Sequence, residues 1–508
     1  MSSPQRSSEM EDLLIPENDK RGVRRLAWPF LRAQMNRKGF IPTTLVVITL
    51  AVTVSVLFNG TGEVMALSGF QRGGVMQSPI VVNKTDPEPQ TDPQPEPKIE
   101  EPRWSPWVVG QPTRHFRDNL RNDTKYVTTW APGGWTNDVM SYFNTIYIAS
   151  ISNRVAVLPP FIPSHLPLST PPIRFGEIFD LPRLSKDSGV RVMDFSDVKD
   201  PQSESLDDIG CWSIWATANP SGGTRGSRSA FAVNLDPSYT PIPRDAKLYP
   251  HLDHDWHVKF WSLAALMYPD YRKQMTQEMG FPDAYEFNGT TPSERHKHTL
   301  PPDDHLTCFD FTYFVSASRA FEYDYDYSPA WRFVGTYARW NPRILELADQ
   351  YLRRAFGLSP AEQIPPFVSV HARHGEFTMW CNGLPAKECF APLSAYARRV
   401  TEVQDELRET KGINATRVLF TSDEKDPEWW AGVKELGWIT IDHDQEETTE
   451  RYGLWYTVVL DAIFQSLGAG FVGTDRSTFS LLSRRRVIDW YDGAWRDVKW
   501  GHPGADDH

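Results

Sequence analysis

Between residues 366 and 491, short apolar segments alternate with helical ones, and this alternation limits the chain to an α/β fold. Pro366–Ala372 (PFVSVHA), Arg417–Thr421 (RVLFT), Trp438–Ile441 (WITI) and Gly470–Gly473 (GFVG) read as strands. Pro392–Thr410, a stretch from Pro427, Tyr452–Leu467 and the segment after Ser480 read as helices. Three of the strands end in polar residues. His371, Arg373 and Glu376 follow the first, Ser422-Asp423-Glu424 the second, and Thr474 to Ser480 the last. In open α/β sheets, ligands bind at the edge formed by the strand C-termini.

The pattern also occurs earlier. Lys125–Thr129 reads as a strand ending in Ala131-Pro-Gly-Gly-Trp-Thr-Asn137. A helix from about Asp138 to Ser152 follows, with Met140, Phe143, Ile146 and Tyr147 at helical spacing, and then a strand at Arg154–Leu158. A strand, a Gly-rich turn and a helix start make an anion- or ligand-facing arrangement. Residues 160–300 are rich in Pro and Gly and read as insertions with acceptor-binding loops. Glu322, Asp324 and Tyr325-Asp-Tyr read as a solvated loop, and a helix over Asn341–Phe356 leads into the second unit. Two units result, 104–340 and 341–508.

Upstream, seven basic residues and no acidic one lie between Lys20 and Phe40, followed by eighteen uncharged residues, Ile41 to Phe58. As a helix that run spans about 27 Å, close to a bilayer's hydrocarbon thickness. The basic flank on one side predicts an N-terminus in the cytosol. The expected layout is a disordered cytosolic tail (1–40), a transmembrane signal-anchor (41–58) and a Pro-rich luminal stem (59–103) before the folded part. The net charge of −12 excludes a nucleic-acid footprint. All four cysteines lie beyond the span, on the oxidising side, where an even count allows two disulfides in three connectivities. Cys381 and Cys389 are near enough in sequence to clip one loop, which would leave Cys211 with Cys308. Neither a C-x-x-C motif nor a matching His pair supports a zinc alternative, so no metal is expected. Sequons at Asn83, Asn122, Asn288 and Asn414 fit a luminal domain and a glycoprotein.

Each candidate site residue admits two readings. Arg373, at a strand end, suits a diphosphate with its forked donors, or pairs with Glu376 at the surface. His371 shares its face of the strand. Ser477 and Thr478, with Phe479, open a helix that binds phosphate without metal, or form a plain N-cap. Asp423 bonds a ribose or base edge, or is a helix-start acid.

Four segments together resemble the protein O-fucosyltransferase-like family of GDP-fucose-dependent enzymes. Gly133 to Phe161 resembles its N-terminal turn, helix and strand closing in Leu-Pro-Pro, and VHARHGEF (Val370 to Phe377) its His-x-Arg-x-Gly-Asp-Phe element. FTSDE (Phe420 to Glu424) and FVGTDRSTFS (Phe471 to Ser480) resemble two later elements, in the same order. The resemblance implies a GT-B fold of two facing Rossmann-like domains. It implies inverting, metal-independent transfer of fucose to a hydroxyl of a protein or glycan acceptor, with GDP-fucose as donor substrate and no cofactor, in the Golgi or endoplasmic reticulum membrane. It assigns Arg373 to the β-phosphate, His371 and Asp423 to guanosine groups, and Ser477, Thr478 and Phe479 to closing over the diphosphate. It puts the Gly133-Gly134 turn and Asn137 at the sugar. Where some members carry a catalytic Glu, this chain has Gly133, so Asp138 and Glu376 remain the candidate bases. The same fold with another nucleotide sugar, and a non-catalytic glycan- or protein-binding form, are the alternatives.

Overall fold

The computed structural model describes residues 104–507 except 219–222, 253–254 and 271–289. The tail, membrane span and stem of the sequence reading, and the sequons at Asn83 and Asn288, lie outside the described residues. Asn122 and Asn414 are exposed. No helix among the described residues is long and apolar enough to cross a membrane.

Two parallel sheets organise the chain. The first comprises β1 (Tyr126–Thr129), β2 (Val155–Leu158), β3 (Val192–Asp194), β4 (Asp207–Ser213), β5 (Leu235–Pro241) and β7 (Leu306–Phe309) in the order β3-β2-β1-β7-β4-β5. A small pair, β6 (Val258–Lys259) and β8 (Val315–Ser316), lies outside it. The second sheet comprises β9 (Phe367–Ala372), β10 (Arg417–Ser422), β11 (Gly470–Thr474) and β12 (Ala494–Val498) in the order β10-β9-β11-β12. Every residue of β1, β2, β9 and β11 is buried. That is why β2, β9 and β11 are mostly apolar, as in parallel strands covered on both faces, while β1 also buries Thr128 and Thr129.

Packing follows from these faces. The helix Leu393–Lys411 sets Val400, Val403 and Leu407 into one core with Val368, Val370, Val418 and Val472 of the second sheet. Each such side chain contributes roughly 1.5–3 kcal/mol when fully buried. A Cβ on Gly470 would lie 2.3 Å from Val403 Cγ1, so glycine sets how closely helix and strand approach. The helix Trp135–Ile151 is buried along most of its length beside β1 and β2. Cys211–Cys308 ties β4 to β7 across 97 residues, and Cys381–Cys389 closes a short loop.

Four sequence expectations are corrected. WITI is not a strand, since only Ile439 bridges β10, exchanging bonds of 2.8 and 2.9 Å with Phe420 and Val418. Asp442 then accepts the N–H groups of Asp444 and Gln445 and turns the chain away. Tyr452–Leu467 is interrupted at Gly453, whose φ of 94° separates Thr448–Tyr452 from Trp455–Ser466. Residues 160–300 are not only insertions, because they supply β3, β4 and β5. Strand β5 carries Pro237 and Pro241, which a sheet tolerates at its edge, where β5 lies. Glu322 is not solvated. It is buried, and its carboxylate accepts the N–H groups of Ala317 and Arg319 at 2.7 and 3.0 Å.

Candidate functional site

The C-terminal ends of β9, β10 and β11 lie side by side, and one hydroxyl ties two of them. Thr474 Oγ1 accepts the Arg373 N–H at 2.9 Å, bonds the His371 carbonyl at 3.1 Å and meets Tyr396 Oη at 2.8 Å. The Thr474 N–H donates to Ser480 Oγ at 3.0 Å, and that hydroxyl lies 2.8 Å from His371 Nδ1. Ser480 thus ties the end of β11 to the His371 ring. Burial lowers the His371 pKa to about 3, with Asp423 opposing and Arg373 and His374 adding to the effect. The imidazole is neutral at physiological pH.

Arg373 pairs with Asp423 through Nη1 and approaches Glu376 Oε2 at 3.5 Å through Nη2. Its guanidinium sits 5.2 Å over the Phe377 ring. The other Asp423 oxygen accepts the His374 N–H at 2.7 Å. His374 is itself held by Glu424 at 2.5 Å and stacked 4.4 Å from Phe390. Gly375, at φ 38°, lets the loop pass, since a Cβ there would lie 2.4 Å from Asp423 Oδ2. The arrangement presents a guanidinium whose carboxylate partner is fixed by backbone.

The start of the helix Thr478–Tyr491 adjoins these strand ends. Its N-cap Ser477 accepts the Ser480 N–H at 3.3 Å. The first N–H groups of any helix lack intrahelical partners and favour an anion. Phe479 lies 5.0 Å from the His371 ring and 6.0 Å from Trp135. Thr478 Oγ1 meets Thr136 Oγ1 at 2.8 Å. The starts of the two helices Trp135–Ile151 and Thr478–Tyr491 thus meet at the junction of the two sheets.

From the first sheet comes the turn after β1. Asp138 is buried and accepts the Gly133 N–H at 2.8 Å. Burial pushes its carboxyl well above the usual range, with that bond and Arg225 opposing. Asn137 Oδ1 and Trp135 Nε1 are buried without a hydrogen-bond partner among the described residues, which calls for a reason. Gly134 packs so closely that a Cβ would sit 2.7 Å from His165 Nε2.

The structure brings Arg373, Asp423, His371, Ser477, Thr478 and Phe479 to one place, with Glu376 at its exposed rim. The Gly133–Asp138 turn joins them through Thr136 and Trp135. Sequence reasoning missed His165, whose Nδ1 lies 3.3 Å from Glu376 Oε1. It also missed Asp310, buried at the end of β7, where it accepts the Ile214 N–H at 2.8 Å and has its pKa raised to about 6 by burial. An acid directly after LTCF was the available signal. Cys381–Cys389 and Cys211–Cys308 form as paired above.

A family described as GDP-fucose protein O-fucosyltransferase matches residues 126–487. No curated protein matches the chain. Among solved structures, POFUT1 in complex with GDP-fucose is 16% identical with a TM-score of 0.43, over 75% of this chain and 99% of that one. POFUT1 in complex with GDP is 15% identical with a TM-score of 0.44, over 75% and 100%. The fucosyltransferase NodZ from Bradyrhizobium is 13% identical with a TM-score of 0.35, over 71% and 92%.

Proposed function

The chain belongs to the GDP-fucose protein O-fucosyltransferase family and is a glycosyltransferase. From that premise we propose that it moves fucose from GDP-fucose to a hydroxyl of a protein or glycan acceptor, with inversion and without a metal. We also propose a GT-B arrangement of the two sheets. The observation that carries this reading is the Arg373–Asp423 pair at strand ends that Thr474 and Ser480 tie to the start of the helix Thr478–Tyr491.

In the proposed reaction the acceptor oxygen attacks fucose C1 opposite the diphosphate. The O–C1 bond forms as the C1–phosphate oxygen bond breaks, and that electron pair leaves with GDP. Arg373 binds the β-phosphate, where negative charge grows, and the helix start with Ser477, Thr478 and Phe479 faces the same group. His371 and Asp423 hold guanosine groups. Asn137 and Trp135, with free buried polar atoms, suit sugar hydroxyls. The acceptor proton passes to Glu376, which is exposed, rather than to Asp138, which is buried against Gly133. The uncharged run Ile41 to Phe58 supports anchoring as a single-pass type II protein of the Golgi or endoplasmic reticulum, with the enzyme in the lumen.

Thermal unfolding of the full chain in EDTA tests the donor assignment. GDP at about one hundred times its dissociation constant stabilises by about 2.7 kcal/mol, and UDP at the same concentration does not. Stabilisation by UDP and not GDP would point to another nucleotide sugar. Stabilisation by neither contradicts the proposed donor site.

A further inference from the structure

On the first sheet, the N-terminal edge opposite the proposed donor site carries a second cluster of ligating side chains. Asp208, the second residue of β4, meets His296 Nδ1 with one carboxylate oxygen at 2.8 Å and His298 Nδ1 with the other at 2.7 Å. Five residues of extended strand, about 16 Å, separate Asp208 from Ser213 at the other end. Both imidazoles are exposed, 41% for His296 and 60% for His298.

The segment bearing them is fixed by contacts that do not involve the rings. The buried Asp236 carboxylate accepts the Arg295 N–H at 3.1 Å and the His296 N–H at 2.7 Å. Ser293 brackets His298, its N–H donating to the His298 carbonyl at 2.8 Å and its Oγ accepting the His298 N–H at 3.1 Å. Thr291 pairs with Tyr239 of β5, the Leu300 N–H donates to Ser238 Oγ at 3.0 Å, and the Asp303 N–H donates to the Gly210 carbonyl at 2.9 Å. Between the two histidines, Lys297 holds φ 58°, a left-handed conformation that costs a non-glycine residue about 1–2 kcal/mol. That turn carries both rings to the same carboxylate. Strain of this kind persists only where the surroundings over-determine it, and ligand clamps are among the places where it collects.

We propose that Asp208, His296 and His298 bind a divalent transition-metal ion of the zinc class. Two imidazole nitrogens and one carboxylate oxygen form a donor set that suits zinc, and their exposure leaves water to complete the shell. Magnesium, which prefers oxygen ligands, does not fit. Tetrahedral ligation at roughly 2.0–2.1 Å separates ligand atoms by about 3.3 Å, and the three candidate ligand atoms already lie within 4.8 Å of one another on rings free to shift. The ion would join β4 to the 290–303 segment. It sits on the wrong edge to take part in transfer, so it is independent of the donor site.

Isothermal titration of the full chain, in detergent, with zinc chloride alone tests this. The expected result is one saturable ion per chain, absent with magnesium chloride. His296→Gln with His298→Gln should abolish that binding without changing the melting temperature measured in EDTA. Asp208→Asn, which keeps the shape but not the charge, should weaken it at least tenfold. No saturable zinc binding, or undiminished binding in the folded double variant, would overturn the assignment and leave a carboxylate hydrogen-bonded to two imidazoles.

Discussion

His371 sits in an environment that its sequence alone does not reveal. Its pKa falls from an ordinary 6.5 to about 3 because it is buried. The unfolded chain therefore binds a proton that the folded one does not between those values, and stability is lost as pH falls from about 6.5 toward 3. Asp310, raised to about 6 by burial, acts in the opposite sense and costs stability as pH rises through that value. A His371→Gln variant should show a shallower acid limb in melting temperature against pH. An unchanged limb would mean that His371 is not held neutral. Arg373, His371, Asp423 and Ser477 were legible because each lies at, or within three residues of, the C-terminal end of an apolar strand. His165 and Arg225 were not, since they meet Glu376 and Phe311, 211 and 86 residues away, and Asp310 went unread although it directly follows LTCF.

At the scale of elements, the loop after β9 depends on Gly375. Alanine there adds a left-handed conformation, costing about 1–2 kcal/mol, and places Cβ 2.4 Å from Asp423 Oδ2. Gly375→Ala should therefore lower the melting temperature modestly and weaken GDP binding more than that cost alone implies, because it displaces the partner of Arg373. Wild-type GDP affinity in a titration of the variant would show that the Arg373–Asp423 pair does not organise the site. Strands β9, β10 and β11 were readable because they are mostly apolar, as parallel strands covered on both faces are, whereas β12 (AWRDV), half-exposed and charged at its centre, went unread. β5 was hidden by its two prolines, and β7 by its distance in sequence from β1, its partner in the sheet.

For the whole molecule, an α/β fold with parallel sheets was visible in the repeated alternation of strand and helix, but the six-strand order of the first sheet was not. Parallel neighbours such as β1 and β7 lie about 180 residues apart, and the pairing of Tyr126 with Leu306 leaves no local trace. The membrane arrangement rests on sequence. Protease added to sealed microsomes should remove only the first forty or so residues, and digestion of the bulk without detergent would contradict the proposed topology. The transfer reading makes the most demanding claim, that Arg373 acts on growing charge at the leaving diphosphate. Losing one such preorganised donor costs about 100- to 1000-fold in turnover, or roughly 3–4 kcal/mol. Arg373→Lys keeps the charge without the fork and should recover part of it. The direct measurement is GDP release from GDP-fucose, in EDTA, by the wild-type chain and by Arg373→Ala and Glu376→Gln variants of unchanged melting temperature. The account predicts metal-independent release by the wild type, a 100- to 1000-fold loss for Arg373→Ala, and for Glu376→Gln a loss of transfer with GDP binding retained. Wild-type turnover in a stable Arg373→Ala protein would contradict it.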